Sequence, residues 1–288
     1  MVNSLITTSV IANEALAVLY EGSVFARLMH RDYESDFQAG VGATISIRKP
    51  ATFVAKDFVR ANGIELQDAS ESLATITLDQ HKDVSFAVTD HELTLTVADF
   101  SKQLLTPALQ AIIEGIEATA VGTIAGVATS TGSTTAPMTV NEFVDARTAL
   151  GKRKVPKANR FALLNPVAAG QLLKDPSLRN ADVSNDGGAA LRESAIGRIQ
   201  MADTYEMTGL ADTQNVMAHA NAFAFVSRPL SPAAGTDCVV RDFEGFSVRV
   251  VQQYDIIHKQ TVVSVDTLFG CKAIDPRLAQ VMLNSATV

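Results

Sequence analysis

The chain has 288 residues, 47% hydrophobic and 19% charged, which excludes a disordered tail protein and allows one large domain or two intertwined ones. Its 24 Lys+Arg against 31 Asp+Glu leave a net charge of −7, which argues against dedicated nucleic-acid binding through phosphate neutralisation. Two cysteines, Cys238 and Cys271, are too few for a disulfide framework, the N-terminus lacks the basic n-region of a secretory signal, and the apolar stretch 108–127 is interrupted by Glu114 and Glu117, so the expectation is an intracellular protein without a membrane span.

Residues 1–40 are amphipathic. Asn3 and Ser9 are candidate caps, and Val10, Leu16, Leu19 and Phe25 recur among polar positions, which predicts one or two short helices forming an arm laid on another surface. A charged, glycine-containing loop follows at 30–42. Residues 43–49 alternate, Ala43, Ile45 and Ile47 against Thr44, Ser46 and Arg48, and predict a strand. A longer strand signal places Ala74, Ile76, Leu78, Val84, Phe86 and Val88 on one face, with Thr75, Thr77, Asp79, Ser85 and Thr89 opposite. A strand of about 17 residues would extend roughly 55 Å, more than a small core needs, so the pattern predicts a hairpin arm that projects from the body. The connection 50–72 is too long for a tight turn. It carries Phe53, Val54, Phe58, Ile64 and Leu66, an apolar tip that predicts a partner surface.

Thr106 as N-cap and Pro107 as first helical residue predict a long helix, with Leu109, Ile112, Ile113, Ile116, Ala120, Ile124 and Val127 as its apolar stripe. Residues 129–137 then read as a linker and the best internal boundary. From 139 to 235 helix and strand signals alternate. They give a helix from a Thr139 or Asn141 cap to Gly151, a short strand within 154–166, and a helix over 167–175 closed by Asp175-Pro176. A loop-like stretch at 177–190 and a strand near 223–228 complete this section. The end of the chain is strand-rich at 246–252 and 260–270, and there is no internal repeat.

Motifs that carry chemistry are scarce. Asp182, Ser184, Asp186, Gly187 and Glu193 sit at the spacing of a calcium loop, but Pro176 breaks the helix that should enter it and Ala189 is a weak substitute for a bulky apolar residue. The reading taken is a flexible polar loop. Asp79, His81 and Asp83 share one strand face and could hold a divalent ion; a solvated strand face is the plainer account. His91-Glu92 lacks the second histidine of a zinc-protease helix, and the chain has no Gly-x-Ser-x-Gly, P-loop or Gly-x-Gly-x-x-Gly. Gly151-Lys152-Arg153-Lys154 is the one basic run. It could touch phosphate, but it also suits the negative end of a helix dipole, and the helix-end reading is preferred. The expectation is therefore neither enzyme, cofactor nor metal, but outward-reaching elements suited to repeated self-association.

Four stretches, taken in order and spacing, resemble a known family: RDYESDFQAGVGATISIRKP, TITLDQHKDVSFAVTDHELTLTVADF, VPKANRFALLNPVAAGQLLKDPSLRNADVS and FEGFSVRVVQQYDIIHKQTVVSVDTLFGCKAIDPR. Together they are similar to the major capsid protein of tailed bacteriophages, with the HK97 fold, in the branch named for the coat protein of phage P22. The resemblance implies an α+β HK97-like capsid fold. Its parts would be an N-terminal arm (1–40), an extended E-loop hairpin with peripheral-domain strands (41–90), a spine helix (91–137), an axial domain (138–235) and a return to the peripheral domain (236–288). It implies a coat protein that assembles into hexamers and pentamers of an icosahedral head, resident in the virion and assembled in the bacterial host cytoplasm. Its partners would be further copies of itself, a portal, a separate scaffolding or decoration protein if any, and packaged DNA held by loose contact, with no membrane. Phe53, Phe58, Ile64 and Leu66 at the E-loop tip would form a subunit interface. Some shells of this fold carry a lysine–asparagine cross-link; Lys49 and Lys56 lie near the loop without defining one. An encapsulin-type nanocompartment shell shares the fold and is the nearest alternative. A soluble α/β enzyme with an unrecognised site is the alternative of a different class.

Overall fold

A computed structural model describes residues 8–31, 44–49, 53, 55–58, 60, 63, 66, 72–89, 105–179, 196–232, 235–243 and 245–287. Helix α1 (Thr8–Gly22) and the short α2 (Phe25–Leu28) open the chain. Strands β1 (Thr44–Lys49), β2 (Ser72–Thr77) and β3 (Gln80–Thr89) precede helix α3 (Thr106–Gly122), which tightens into a 3-10 turn over Thr123–Gly126. Then come β4 (Ser130–Gly132), α4 (Val140–Lys152), β5 (Arg160–Leu164), α5 (Pro166–Lys174) and α6 (Pro176–Arg179). The remaining strands are β6 (Arg198–Ile199), β7 (Ala202–Glu206), β8 (Gln214–His219), β9 (Phe223–Arg228), β10 (Asp237–Phe243), β11 (Phe246–Asp255), β12 (Gln260–Ala273) and β13 (Ala279–Leu283).

Among the described residues these strands form three sheets. β1 pairs with β2; β10, β11, β12 and β3 run in that order with β9 also on β12; and β4, β13, β8, β5, β7 and β6 make the third. Strand β5 shows how the layers stack. Its side chains alternate faces, so Phe161 and Leu163 enter one core while Ala162 and Leu164 enter another. The first core lies between the two large sheets and takes in α1 and α3. The second packs α4 and α5 on the far face of the six-stranded sheet. A strand covered on both faces must be apolar at every position, which is why β5 reads as an unbroken apolar run after Arg160.

Several expectations hold locally. All seven stripe residues, Leu109 to Val127, are buried, although Ile124 lies in the 3-10 turn and Val127 just beyond it. The stretch Thr106–Gly126 has the length and apolarity of a membrane span, yet its stripe is filled by this chain's own core. Thr139, not Asn141, caps α4: its hydroxyl accepts from the Asn141 N–H while Glu142 accepts from the Thr139 N–H.

Others are corrected. Thr106 lies inside the helix; Leu105 is the cap residue and makes no side-chain cap bond. The first helix is not merely laid on a surface: Ile11, Ala12, Ala15, Leu16 and Leu19 belong to the main core. The single long strand divides at Leu78–Asp79, because β2 belongs to one sheet and β3 to another. The linker contains β4, which pairs in parallel with β13, and Gly132 lets the backbones touch, since a Cβ there would lie 2.5 Å from the Leu283 oxygen. The last fifty residues do not all return to one sheet either; β13 crosses into the six-stranded sheet between β4 and β8. β7, β8, β10 and β13 carried no clear strand signal.

Candidate assembly surfaces

The register of β1 and β2 runs from Thr44 opposite Thr77 to Lys49 opposite Ser72, so residues 50–71 leave and return at one end of a two-stranded ladder. A two-stranded hairpin is marginal by itself. This one is fastened at its root, where Ile47, Ile76 and Leu78 pack with Ala224, Val226 and Ile274 from the larger body. Gly270 of β12 makes the fit possible: a Cβ at that position would stand 2.1 Å from the Thr77 carbonyl oxygen. Beyond the root the side chains turn outward. Phe53 is 64% exposed, Phe58 70% and Leu66 92%, and Leu73 on β2 is exposed as well. Burying such side chains is worth roughly 1.5–3 kcal/mol each, which this chain by itself forgoes. Ile64, expected beside them, lies outside the described residues, as does Val54. Lys49 ends β1 opposite Ser72, and Lys56 is exposed.

A second apolar prominence was not evident in the sequence. The end of β11 and its turn into β12 expose Tyr254, Ile256 and Ile257, the last at 85%. Asp255 shapes it: its carboxylate accepts from the Ile257 N–H at 2.9 Å and pairs with the His258 ring at 2.5 Å, which holds the carboxyl below its usual range. The signal available in the sequence was Ile256-Ile257 flanked by Asp255 and His258, two apolar residues at a turn.

The N-terminal segment is tied down by a carboxylate that sequence reading treated only as an interruption. Glu117 of α3 is buried, and its two oxygens accept from the Val24, Phe25 and Ala26 N–H groups at 2.9, 3.1 and 3.3 Å. These are the unpaired donors at the start of α2. Burial pushes the Glu117 carboxyl up; the three N–H groups and Arg27 oppose that shift without cancelling it. Phe25 then packs edge-on to Phe223 at 5.2 Å and beside Phe161, one ring from each of the two large sheets. Glu117 falls four residues after Ile113 and seven before Ile124, on the apolar face itself, and that position was the available signal.

The six-stranded sheet closes on a buried amide network. Asn165 caps α5 through the Ala168 N–H at 2.6 Å and donates to Ala211 O, Gln214 O and Asn284 Oδ1. Asn215 accepts from the Asn165 N–H and donates to Asn284 Oδ1, while Gln171 donates to Ser285 and Thr287. These contacts bind the chain's end to the sheet.

The residues weighed for chemistry are dispersed. Asp79, His81 and Asp83 share an exposed face, but His81 faces Asp266 at 3.2 Å and Asp83 accepts from Ser85 and Ser264. Asp266 in turn takes two bonds from Arg249. Among the described residues no three His, Cys, Asp or Glu side chains gather as metal ligands. The Cys271 thiol is pushed up to about 12 by burial and then by neighbouring carboxylates, so it is inert as a nucleophile at neutral pH. Burial and the Arg160 charge lower His219. Asp182, Ser184, Asp186 and Glu193 lie outside the described residues, as do His91 and Glu92.

No protein-family model matches the sequence, and no curated protein matches it either. Solved structures do. One from Mycobacterium phage Che8 is 24% identical with a TM-score of 0.72, covering 90% of each chain. The capsid structure of cyanophage P-SCSP1u is 13% identical with a TM-score of 0.67, over 92% of this chain and 89% of that one. A virus-like particle from Pyrococcus furiosus is 12% identical with a TM-score of 0.56, over 94% and 97%. The chain has the HK97-like capsid fold that the resemblance implied.

Proposed function

We propose that this chain is the major coat protein of a tailed-phage head, a structural subunit that associates with copies of itself into hexamers and pentamers of an icosahedral shell around the DNA genome. The observation that carries this reading is the likeness to phage structures over nine-tenths of both chains, which leaves little of either chain to support a different role. Exposed apolar tips on two hairpins agree with it, since a lone subunit gains nothing from them. A net charge of −7 suits a wall that encloses DNA without gripping it.

In this reading residues 1–40 are the arm and 41–90 carry the E-loop. The helix within 91–137 is the spine, 138–235 with β4 and β13 form the axial domain, and 236–273 belong to the peripheral domain. Phe53, Phe58, Ile64 and Leu66 bury against a neighbouring subunit. Portal and scaffolding or decoration proteins are the further partners, and the virion is the location. A second reading, a nanocompartment shell enclosing protein cargo, draws on the likeness to the Pyrococcus furiosus particle.

Size-exclusion chromatography with light scattering, followed by negative-stain microscopy, tests the proposal. Closed shells, or discrete pentamers and hexamers, are expected. A monomer that stays monomeric at high concentration and beside its candidate scaffold overturns it. Nuclease-protected DNA inside shells from infected cells selects the coat protein over the nanocompartment.

A further inference from the structure

At the end of α4 the chain makes a cavity of about 570 Å³ with Arg147, Lys152, Lys154, Lys157 and Arg160 in its wall and no carboxylate among its lining residues. The local fold builds it. Helix α4 stops in a Schellman turn, with the Val155 N–H on Leu150 O at 3.1 Å and the Lys154 N–H on Gly151 O at 2.9 Å. Lys154 occupies the left-handed position at φ 59, where glycine is usual. Arg160 folds the next segment back: its Nε donates to Pro156 O and its Nη2 to Val155 O, both at 2.7 Å. Arg160 is 2% exposed, its guanidinium donates to neutral carbonyls, and burial and then the Arg147 charge lower it, so a fixed charge stands behind three exposed lysines.

The helix-end role holds for part of the run, since Lys152 lies in the last turn of α4 and Arg153 Nε donates to Ala149 O of that turn at 3.2 Å, but it does not account for the whole cluster. A helix C-terminus carries roughly half a negative charge, and the Schellman turn already occupies two of its carbonyls. Five full positive charges exceed that tenfold. Elsewhere on this acidic chain arginines meet carboxylates, as in Arg249–Asp266, Arg198–Asp203 and Arg277–Asp275. None of the five has such a partner among the described residues. Across the ladder from Arg160, His219 is buried, and burial and then the Arg160 charge lower it and favour the neutral ring, which brings no carboxylate to offset the cluster.

We infer that this cavity is a binding site for a phosphate polyanion, an oligophosphate or the backbone of a nucleic acid. A cluster of this charge is matched by a multivalent anion and not by a single carboxylate. Lysines act as point-charge phosphate binders, and the volume lies in the range of small-ligand sites. The inference concerns the subunit and stands apart from what the shell encloses.

The test is calorimetric titration of the purified full chain with sodium tripolyphosphate. The comparison variants are Lys152→Gln/Lys154→Gly/Lys157→Gln and, as charge-matched control, Lys174→Gln/Lys259→Gln/Lys272→Gln, three lysines outside the cavity lining. Glycine at 154 removes the charge while suiting the left-handed backbone, so the triple variant keeps its fold. Saturable binding near one per chain is expected, weakened about tenfold or more in the triple variant and unchanged in the control. Its affinity should fall steeply with added salt. A short duplex DNA that displaces tripolyphosphate assigns the site to nucleic-acid backbone; failure to displace assigns it to a free oligophosphate. No binding to the native chain, or equal binding by the triple variant, overturns the inference.

Discussion

Around the six-stranded sheet, buried polar side chains find their partners within the chain. Along β1, β2 and the described part of 50–71, apolar side chains stand in solvent. Asn165, Asn215 and Asn284 are each fully buried and each makes several hydrogen bonds, whereas Phe53, Phe58 and Leu66 are more than half exposed. The first region is complete as a single subunit. The second leaves its described apolar side chains uncovered, and it is held to the body by the small cluster at its root and by the Lys272 Nζ bond to Thr75 Oγ1. Under the proposed function the difference separates what stabilises the subunit from what assembles it, and mutations in the two regions should move different observables.

The largest effect is expected at Asn165. Replacement by Ala removes the α5 cap and takes a donor from Asn284 Oδ1 and from the Ala211 and Gln214 carbonyls, a loss of about 3 kcal/mol in urea unfolding of the unassembled chain. Glu117→Ala should cost about 2–3 kcal/mol, because three buried N–H groups lose their acceptor. Glu117 also sets a pH dependence. Its folded pKa is raised, so the folded chain holds that proton more tightly than the unfolded chain. Its contribution to stability therefore falls as pH rises from the ordinary carboxylate value through the raised one. Unfolding curves across that window should show the decline in the native chain, and Glu117→Gln should flatten it.

Gly270→Ala should cost about 1–3 kcal/mol by forcing the Thr77 carbonyl away, and should loosen the hairpin root, read as faster amide exchange in β1 and β2. The smallest effect on subunit stability belongs to the triple change Phe53→Ser, Phe58→Ser and Leu66→Ser, within about 0.5 kcal/mol. That variant should fail to form shells in light scattering. Native-like shells from it would erase the distinction between the two regions, and so would a large loss of subunit stability.

Elements whose burial follows one period were legible in the sequence. The stripe of α3, the start of α4 at a Thr139 or Asn141 cap and the alternation of 74–88 each depend on residues near in sequence, and local spacing carries them. β8 was not legible because its apolar residues are mixed with Asn215 and His219, buried polar groups whose partners lie outside the strand: the Asn165 N–H, Met282 O and Asn284 Oδ1 for Asn215, and the Asn221 N–H for His219. Of the candidate surface, the 50–72 tip was found from apolar residues placed in a loop, while the Tyr254–Ile257 turn was too short to stand out. The basic run at 151–154 was visible, but not its meeting with Arg147, Lys157 and Arg160, which depends on how α4 ends and how Arg160 folds back.

The sequence by itself determined the apolar content, the charge, the period of the long helix and of the strand pattern through 74–88, and the order of segments that resembles the HK97 fold. Tertiary structure alone decided where one strand pattern divides between two sheets and that β13 crosses to join β4 and β8. It also decided that Glu117 is an anchor and not an interruption. Each of these turns on contacts between residues far apart in the chain, as Glu117 with Val24 and Gly270 with Thr77, and no local periodicity records such a pair.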